Sequence, residues 1–160
     1  MTIHVEVITQ EGKLFEEHEA DMVIVPGSEG EMGVLPHHAP VLTTMGYGEL
    51  RVKKGNAEED FVIYGGVVDI RPGHVIALAD VAESSYDLDM AEVERARSRA
   101  EELMKNGVPA DRQGSINDEL RRAELMVRVA EKQRARTGMR IRVIEETPDT
   151  PTESKDQKSN

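Results

Sequence analysis

Between Gly27 and Pro40 the chain reads GSEGEMGVLPHHAP, the stretch whose residue types come nearest to a reactive site. Glycines at 27, 30 and 33 suggest a phosphate cradle. A Walker-type loop, however, needs Lys then Ser or Thr after its last glycine, and Gly33 is followed by Val34 and Leu35. The spacing also departs from the dinucleotide fingerprint, and Glu29 and Glu31 would repel phosphate. These glycines therefore read as turn formers. His37 and His38 are adjacent, so in an extended segment they point to opposite faces and cannot share an ion. His4, His18 and His74 lie in separate segments whose spacing does not gather them, so no metal is expected. Ser28, Ser84 and Ser85 lack a nucleophile elbow and read as turn and cap residues. The carboxylate runs Glu16-Glu17, Glu58-Glu59-Asp60 and Glu101-Glu102 read as turn or solvated helix-face groups. No catalytic constellation and no cofactor site emerge, which predicts a chain that binds and moves rather than catalyses.

The elements that must carry these residues divide by charge. Residues 1–86 hold 15 acids and 5 bases, net −10, whereas residues 87–140 hold 11 acids and 12 bases, net +1. The formal charge of −11 and an aromatic content of 3% argue against nucleic acid as a partner, since phosphate contact needs bases and strand binding needs stacking platforms. The chain has no cysteine, which removes disulfides and thiolate chemistry. MTIHVEVITQ has no basic region leading into an apolar stretch, so no signal peptide is expected, and no apolar run suggests a membrane span.

Up to about Val81 the pattern is that of strands. Ile3, Val5 and Val7 alternate with His4 and Glu6, and Met22-Val23-Ile24-Val25 is a continuous apolar run stopped by Pro26-Gly27. Pro72-Gly73 fits a type II turn and Lys54-Gly55-Asn56 supplies another. Short strands separated by such turns predict an antiparallel β-sandwich or barrel. After Tyr86 the period changes to about 3.6. Val93, Ala96, Ala100 and Leu103 form one stripe, with Asp89 and Glu92 as a capping box and Asn106-Gly107-Val108-Pro109 as a stop. Ile116, Leu120, Ala123, Val127 and Ala130 form a second stripe, with Ser115 or Asn117 as the expected cap. Two helices joined by a short loop make an antiparallel hairpin. Its narrow, alanine-rich stripes bury little area, so it should lean on the sandwich or on a partner. The second helix ends at Gly138 or continues through Ile141 and Ile144. The division expected is a β-sandwich over 1–86, a helix hairpin over 87–146 and a disordered polar tail over 147–160.

The order of turn residues around the strands adds a resemblance. GSEGEMGVLPHHAPVLT (27–43), GELRV (48–52), GGVVDIRPGHVIALAD (65–80) and DLD (87–89) closely resemble the epsilon subunits of bacterial F-type ATP synthases. The resemblance covers most of residues 1–89 and, more weakly, the hairpin. It implies a sandwich of about ten strands followed by the helical hairpin. It implies a non-catalytic rotor subunit whose sandwich binds the gamma subunit and the membrane ring of c subunits, coupling proton flow to ATP synthesis. Such a subunit is peripheral at the cytoplasmic face of the cell membrane and meets the membrane only through the complex. In many bacteria the hairpin extends into the alpha/beta catalytic head and inhibits ATP hydrolysis. By the same resemblance Glu29, Glu31 and His38 are candidates for the gamma and c-ring interface, and Arg95, Arg97, Arg99, Arg121, Arg122 and Arg128 for contacts with the head. Some members bind ATP through Ile or Leu, Asp, two variable residues, Arg and Ala. The matching stretch is Leu88-Asp89-Met90-Ala91-Glu92-Val93, with Glu92 where the arginine belongs. Asp89 and Arg122 are thus doubtful ATP ligands and ATP binding should be weak or absent. On the residues alone two other readings stay open: a free-standing small-ligand or metal-binding sandwich built around His37 and His38, and a stand-alone nucleotide sensor.

Overall fold

The structure, a computed structural model, describes residues 1–136, 140 and 141. Eight strands, β1 (Ile3–Thr9), β2 (Gly12–Ala20), β3 (Met22–Gly27), β4 (Gly30–Val34), β5 (Val41–Lys54), β6 (Ala57–Arg71), β7 (His74–Ala79) and β8 (Ala82–Ser84), precede two helices, α1 (Met90–Asn106) and α2 (Gln113–Ala135). The sheet runs β2-β1-β7-β6-β5-β3-β4, with β8 paired to the first part of β6. All pairs are antiparallel except β1 with β7.

The described residues form eight strands, fewer than the roughly ten that the resemblance implies, because β5 and β6 run unbroken through both layers of the sandwich. The second half of β6 pairs with β7 and its first half with β8. Core residues on β6 switch from odd positions, Phe61 and Ile63, to even positions, Val68 and Ile70. The switch falls at Gly65 and Gly66, whose φ values of 86° and 131° are ones that L side chains rarely adopt. A Cβ on Gly66 would also lie 2.3 Å from the Leu78 carbonyl oxygen. The sheet thereby folds over itself, and the Phe15 and Phe61 rings meet 5.0 Å apart in the core, which unites residues of β1, β3 and β7. Gly73, at φ 72°, and Gly55, at φ 56°, sit in the two turns expected of them.

The first half of β6 is covered on both faces. Phe61 and Ile63 point into the core, while Val62 and Tyr64 point outward and are buried under Leu125 and Val129 of α2. A second face of α2, with Met126 and Ala130, packs on Val93 of α1. The stripe expected for α2 was therefore too narrow: Leu125 and Val129, an i, i+4 pair, form the face that seats the hairpin on the sandwich. Asp89 caps α1 as expected, accepting from the Ala91 N–H at 2.9 Å. The cap expected for α2 is corrected. A 3-10 turn over Ala110–Arg112 leads directly into the helix at Gln113, and the Ser115 hydroxyl donates to the Arg112 carbonyl instead. Gly138, Ile144 and the tail over 147–160 lie outside the described residues.

Charge completes the docking. Glu59 and Asp60 on β6 are almost fully buried, at 2% and 1% exposure, which corrects their reading as turn residues. Arg136 pairs with Glu58 at 2.9 Å and with Asp60, Arg140 lies 3.1 Å from Glu59, and Lys132 lies 3.0 Å from Glu49. Arg140 also covers the Tyr86 ring at 4.5 Å, and Ile141 beside it enters the sandwich core. Removing one partner of such a buried pair leaves an uncompensated charge and typically costs about 3–5 kcal/mol.

Asp60 also gives the docked form a pH signature. Burial pushes its carboxyl from the ordinary 3.8 up to about 6, with Arg136 pulling it down and Glu49 and Glu58 adding to the rise. The folded chain then holds this proton more tightly than the unfolded chain. The group therefore costs stability above about pH 6, and the cost disappears as pH falls from there to below 3.8. Asp60→Asn stays neutral throughout. Between pH 7 and pH 5 the wild type should gain about 1 kcal/mol relative to Asp60→Asn in urea unfolding. Identical pH responses of the two chains would show that Asp60 is not the titrating group.

Candidate interaction surfaces

Two outer faces of the sandwich differ in what covers them. Over the first half of β6 the outer face lies under α2. On the other outer face, Leu42, Val67 and Leu78 stay 73%, 37% and 50% exposed. The register explains their grouping. Thr44 opposes Val67, Val67 opposes Leu78, and Leu42 lies two residues from Thr44 on the same side of β5. Leu78 beside Val67, with Leu42 diagonal to Val67 and opposite Asp69, makes an exposed apolar strip edged by one carboxylate. Sequence reasoning missed this strip, because alternation alone does not say which face of a two-layer sheet is inward. The register of β5, β6 and β7 was the information needed.

The three residues carried over as interface candidates occupy the β3–β4 hairpin and the segment leading into β5. Glu29 occupies the exposed two-residue turn between β3 and β4. That turn is tied to β5, with the Ser28 N–H donating to the Thr44 carbonyl and the Thr44 hydroxyl donating to Ser28 Oγ at 3.0 Å. Glu31 follows on β4 and pairs with Arg51 at 3.0 Å. His38 is half-buried in the segment leading into β5, its Nδ1 2.7 Å from the Ala39 carbonyl oxygen, and His37 is exposed. The Gly73 N–H donates to the Pro36 carbonyl at 2.7 Å, which ties this segment to the β6–β7 turn. Among the described residues neither His37 nor His38 belongs to a group with metal-ligand spacing.

Arg95, Arg97, Arg99, Arg121, Arg122 and Arg128 are all exposed on the hairpin. Arg97 pairs with Glu101 and Arg99 with Glu119, both pairs open to solvent and so individually weak. Arg122 stands apart, its guanidinium 5.3 Å from the Tyr64 ring centre and 5.8 Å from that of Tyr47. It lines a cavity of about 710 Å³ between the helices and the sandwich, together with Arg95, Arg99, Glu83, Glu92 and Glu119. Burial and the Glu92 charge push the Glu83 carboxyl above its usual range, and burial pushes the Tyr64 phenol up to about 12. Asp89 spends its carboxylate on the α1 cap. The bases that hold the hairpin down are Lys132, Arg136 and Arg140, which sequence reasoning passed over although their four-residue spacing was a signal. Ser84 serves as a cap, accepting from the Tyr86 N–H and donating to Glu59 at 3.1 Å.

Three histidines that looked scattered do converge. Across β2, β1 and β7 the His4 ring lies 4.4 Å from His18 and 4.6 Å from His74. Glu6 and Glu16 stand among them, and Lys13 bridges these two carboxylates at 2.8 and 3.0 Å. The hydrogen bond from Lys13 holds both carboxyls below the usual range.

Comparison with known proteins gives this arrangement a family. The model of the β-sandwich domain of the ATP synthase delta/epsilon chain matches residues 2–85. The ATP synthase epsilon chain of Dehalococcoides mccartyi strain BAV1 is 41% identical over 133 residues, which span 82% of this chain and 94% of that one. That of Halalkalibacterium halodurans is 41% identical over 129 residues, 81% of this chain and 92% of its own. Among solved structures, a chain of the Euglena gracilis mitochondrial ATP synthase superposes with a TM-score of 0.62 at 20% identity, covering 84% of this chain and 80% of that one. A chain of the Tetrahymena thermophila enzyme superposes at 0.59 with 10% identity, covering 81% and 97%. At those identities the two structures speak for the fold. With its whole sandwich matched and its hairpin included in the aligned relatives, the chain belongs to the ATP synthase delta/epsilon chain family.

Proposed function

We propose that this chain is a non-catalytic rotor subunit of an ATP synthase central stalk, at the cytoplasmic face of the cell membrane. Its sandwich joins the gamma subunit to the ring of c subunits. The observation that carries this reading is the exposed strip of Leu42, Val67 and Leu78, on the side of the sandwich away from the hairpin. A monomer gains nothing by leaving these side chains wet, whereas a subunit clamped to a stalk buries them. Glu29, in the turn tied to Thr44, and His38, in the segment that leads into Leu42, are the polar candidates beside it, whereas Glu31 pairs with Arg51 on the half of β5 that faces the hairpin. No helix among the described residues is long and apolar enough to cross a membrane, which accords with attachment through other subunits. Leu42→Glu with Leu78→Glu should abolish co-purification with gamma and the c-ring, while Glu31→Ala and His38→Ala weaken it less. Undiminished association of the double variant would reject this face as the contact.

The hairpin is read as a brake. Its two helices bury few large side chains, α1 contributing only Val93. Its six arginines are exposed, Arg95, Arg99 and Arg122 of them at the cavity that faces the sandwich, and an extended form would offer all six to acidic surfaces of the alpha/beta head. Deleting residues 87–160 in the reconstituted complex should raise ATP hydrolysis several-fold. Unchanged hydrolysis would remove the brake from the reading.

Nucleotide does not fit the hairpin cavity well. Arg95, Arg99 and Arg122 share it with Glu83, Glu92, Asp118 and Glu119, and Arg99 is already engaged by Glu119 at 2.8 Å. A triphosphate would meet more negative charge than positive. Calorimetric titration of the wild type with ATP should show no saturable binding below about 1 mM, and Glu92→Arg should create it. Tight binding by the wild type would reverse this conclusion and favour a nucleotide sensor.

A further inference from the structure

We propose that the outer face of β1 and β2 carries a site for a zinc-like divalent transition metal, with His4, Glu16 and His18 as its protein ligands. Alternation puts His4 and Glu6 on the outer face of β1, because Ile3, Val5 and Val7 take the core face. The β1–β2 register shifts between Ile3 and Val5, which pair with Ala20 and Glu17. One extra residue of β2 is thus accommodated opposite His4, and a bulge of this kind re-aims side chains. It brings His18 and Glu16 onto the His4 ring. His4 Nε2 lies 2.9 Å from Glu16 Oε1, His18 Nε2 lies 3.9 Å from the same oxygen, and all three ligand atoms fall within 4.8 Å of one another.

Neighbouring ligand atoms around tetrahedral zinc are separated by about 3.3 Å, given bonds of about 2.0–2.1 Å. Small side-chain rotations therefore close the triad on an ion, in exchange for one imidazole–carboxylate hydrogen bond. Lys13 is placed so as to leave the site open. It holds the far oxygens, Glu16 Oε2 at 3.0 Å and Glu6 Oε2 at 2.8 Å, so Glu16 Oε1 still faces the imidazoles. Two imidazoles and one carboxylate favour zinc, nickel or copper over magnesium or calcium, and a water would complete the tetrahedron. Glu6 and His74, with Glu6 Oε1 3.4 Å from His74 Nε2, stand beside His4 on its other side. With His4 they make a second group within 4.8 Å, but Glu6 Oε1 stands 3.9 Å from His4 Nε2 where Glu16 Oε1 stands at 2.9 Å, and the closer carboxylate assigns the ion to the Glu16 and His18 side. The site lies apart from the hairpin and its cavity.

Calorimetric titration of the untagged full chain with Zn²⁺ tests the proposal. One ion should bind with a Kd at or below about 10 μM, and Mg²⁺ should give no saturable signal. Binding should weaken at acid pH, because imidazole must be neutral to ligate. His18→Ala changes a largely exposed side chain, so the fold survives it, and it should weaken Zn²⁺ binding at least tenfold. His4→Ala should do the same, while His74→Ala and His38→Ala should leave it within a factor of about two of the wild type. Absence of saturable binding, an unaffected His18→Ala variant, or dependence on His74 in place of His18 would each overturn the assignment.

Discussion

The turn of β6 through Gly65 and Gly66 is the constraint on which the molecule depends. Two consecutive residues at positive φ exchange the inward and outward sides of one strand midway along its length. Before them Val62 and Tyr64 look outward on one side of the sandwich; after them Val67 and Asp69 look outward on the other. A single strand thereby serves the hairpin with one half and the apolar strip with the other. Neither surface competes with the other for space, so a docked hairpin leaves the strip free. A side chain at Gly66 would strike the backbone of β7, and both surfaces would lose their support together.

Docking of the hairpin combines two kinds of interaction with different reach. Leu125 and Val129 on Val62 and Tyr64 supply a short-range apolar contact that fixes where α2 lies. Lys132, Arg136 and Arg140 supply charges set at intervals over a buried acidic row. The apolar contact is small, and the ionic contact carries a large desolvation penalty that good geometry offsets. The two helices held this way have a defined seat outside the core, and Ile141 beyond them enters it.

Much of the fold was legible because its signals are local. The alternation at Ile3, Val5 and Val7, the turns at Gly55 and Gly73 and the Asp89 cap each depend on a few adjacent residues, and each appears where the pattern predicted it. The strand count was less legible, since a continuous strand that crosses between layers reads like two strands joined at a glycine pair. Glu59 and Asp60 were misread for a related reason. A charged pair looks solvated in sequence, and only the arrival of Arg136 and Arg140, some 80 residues later, makes its burial tolerable. The histidines show the same limit. His4, His18 and His74 belong to three strands, and their meeting depends on a parallel β1–β7 pairing and a bulge that no local pattern announces. The interface candidates Glu29, Glu31 and His38 were readable only as ordered turn residues, because the contacts that fix their segments, Ser28 with Thr44 and Glu31 with Arg51, join residues 16 and 20 positions apart.

The buried acidic row would set the terms on which the proposed extension of the hairpin takes place. If Arg136 and Arg140 were to leave, Glu58, Glu59 and Asp60 would remain as three neighbouring anions without their counter-charges. Water rehydrates the arginines and offsets part of the lost pairing, and a receptor that offers carboxylates to them would tip the balance further towards release. The trough acts as a chemical filter: a neutral or basic surface has nothing to offer in trade, and an acidic one does.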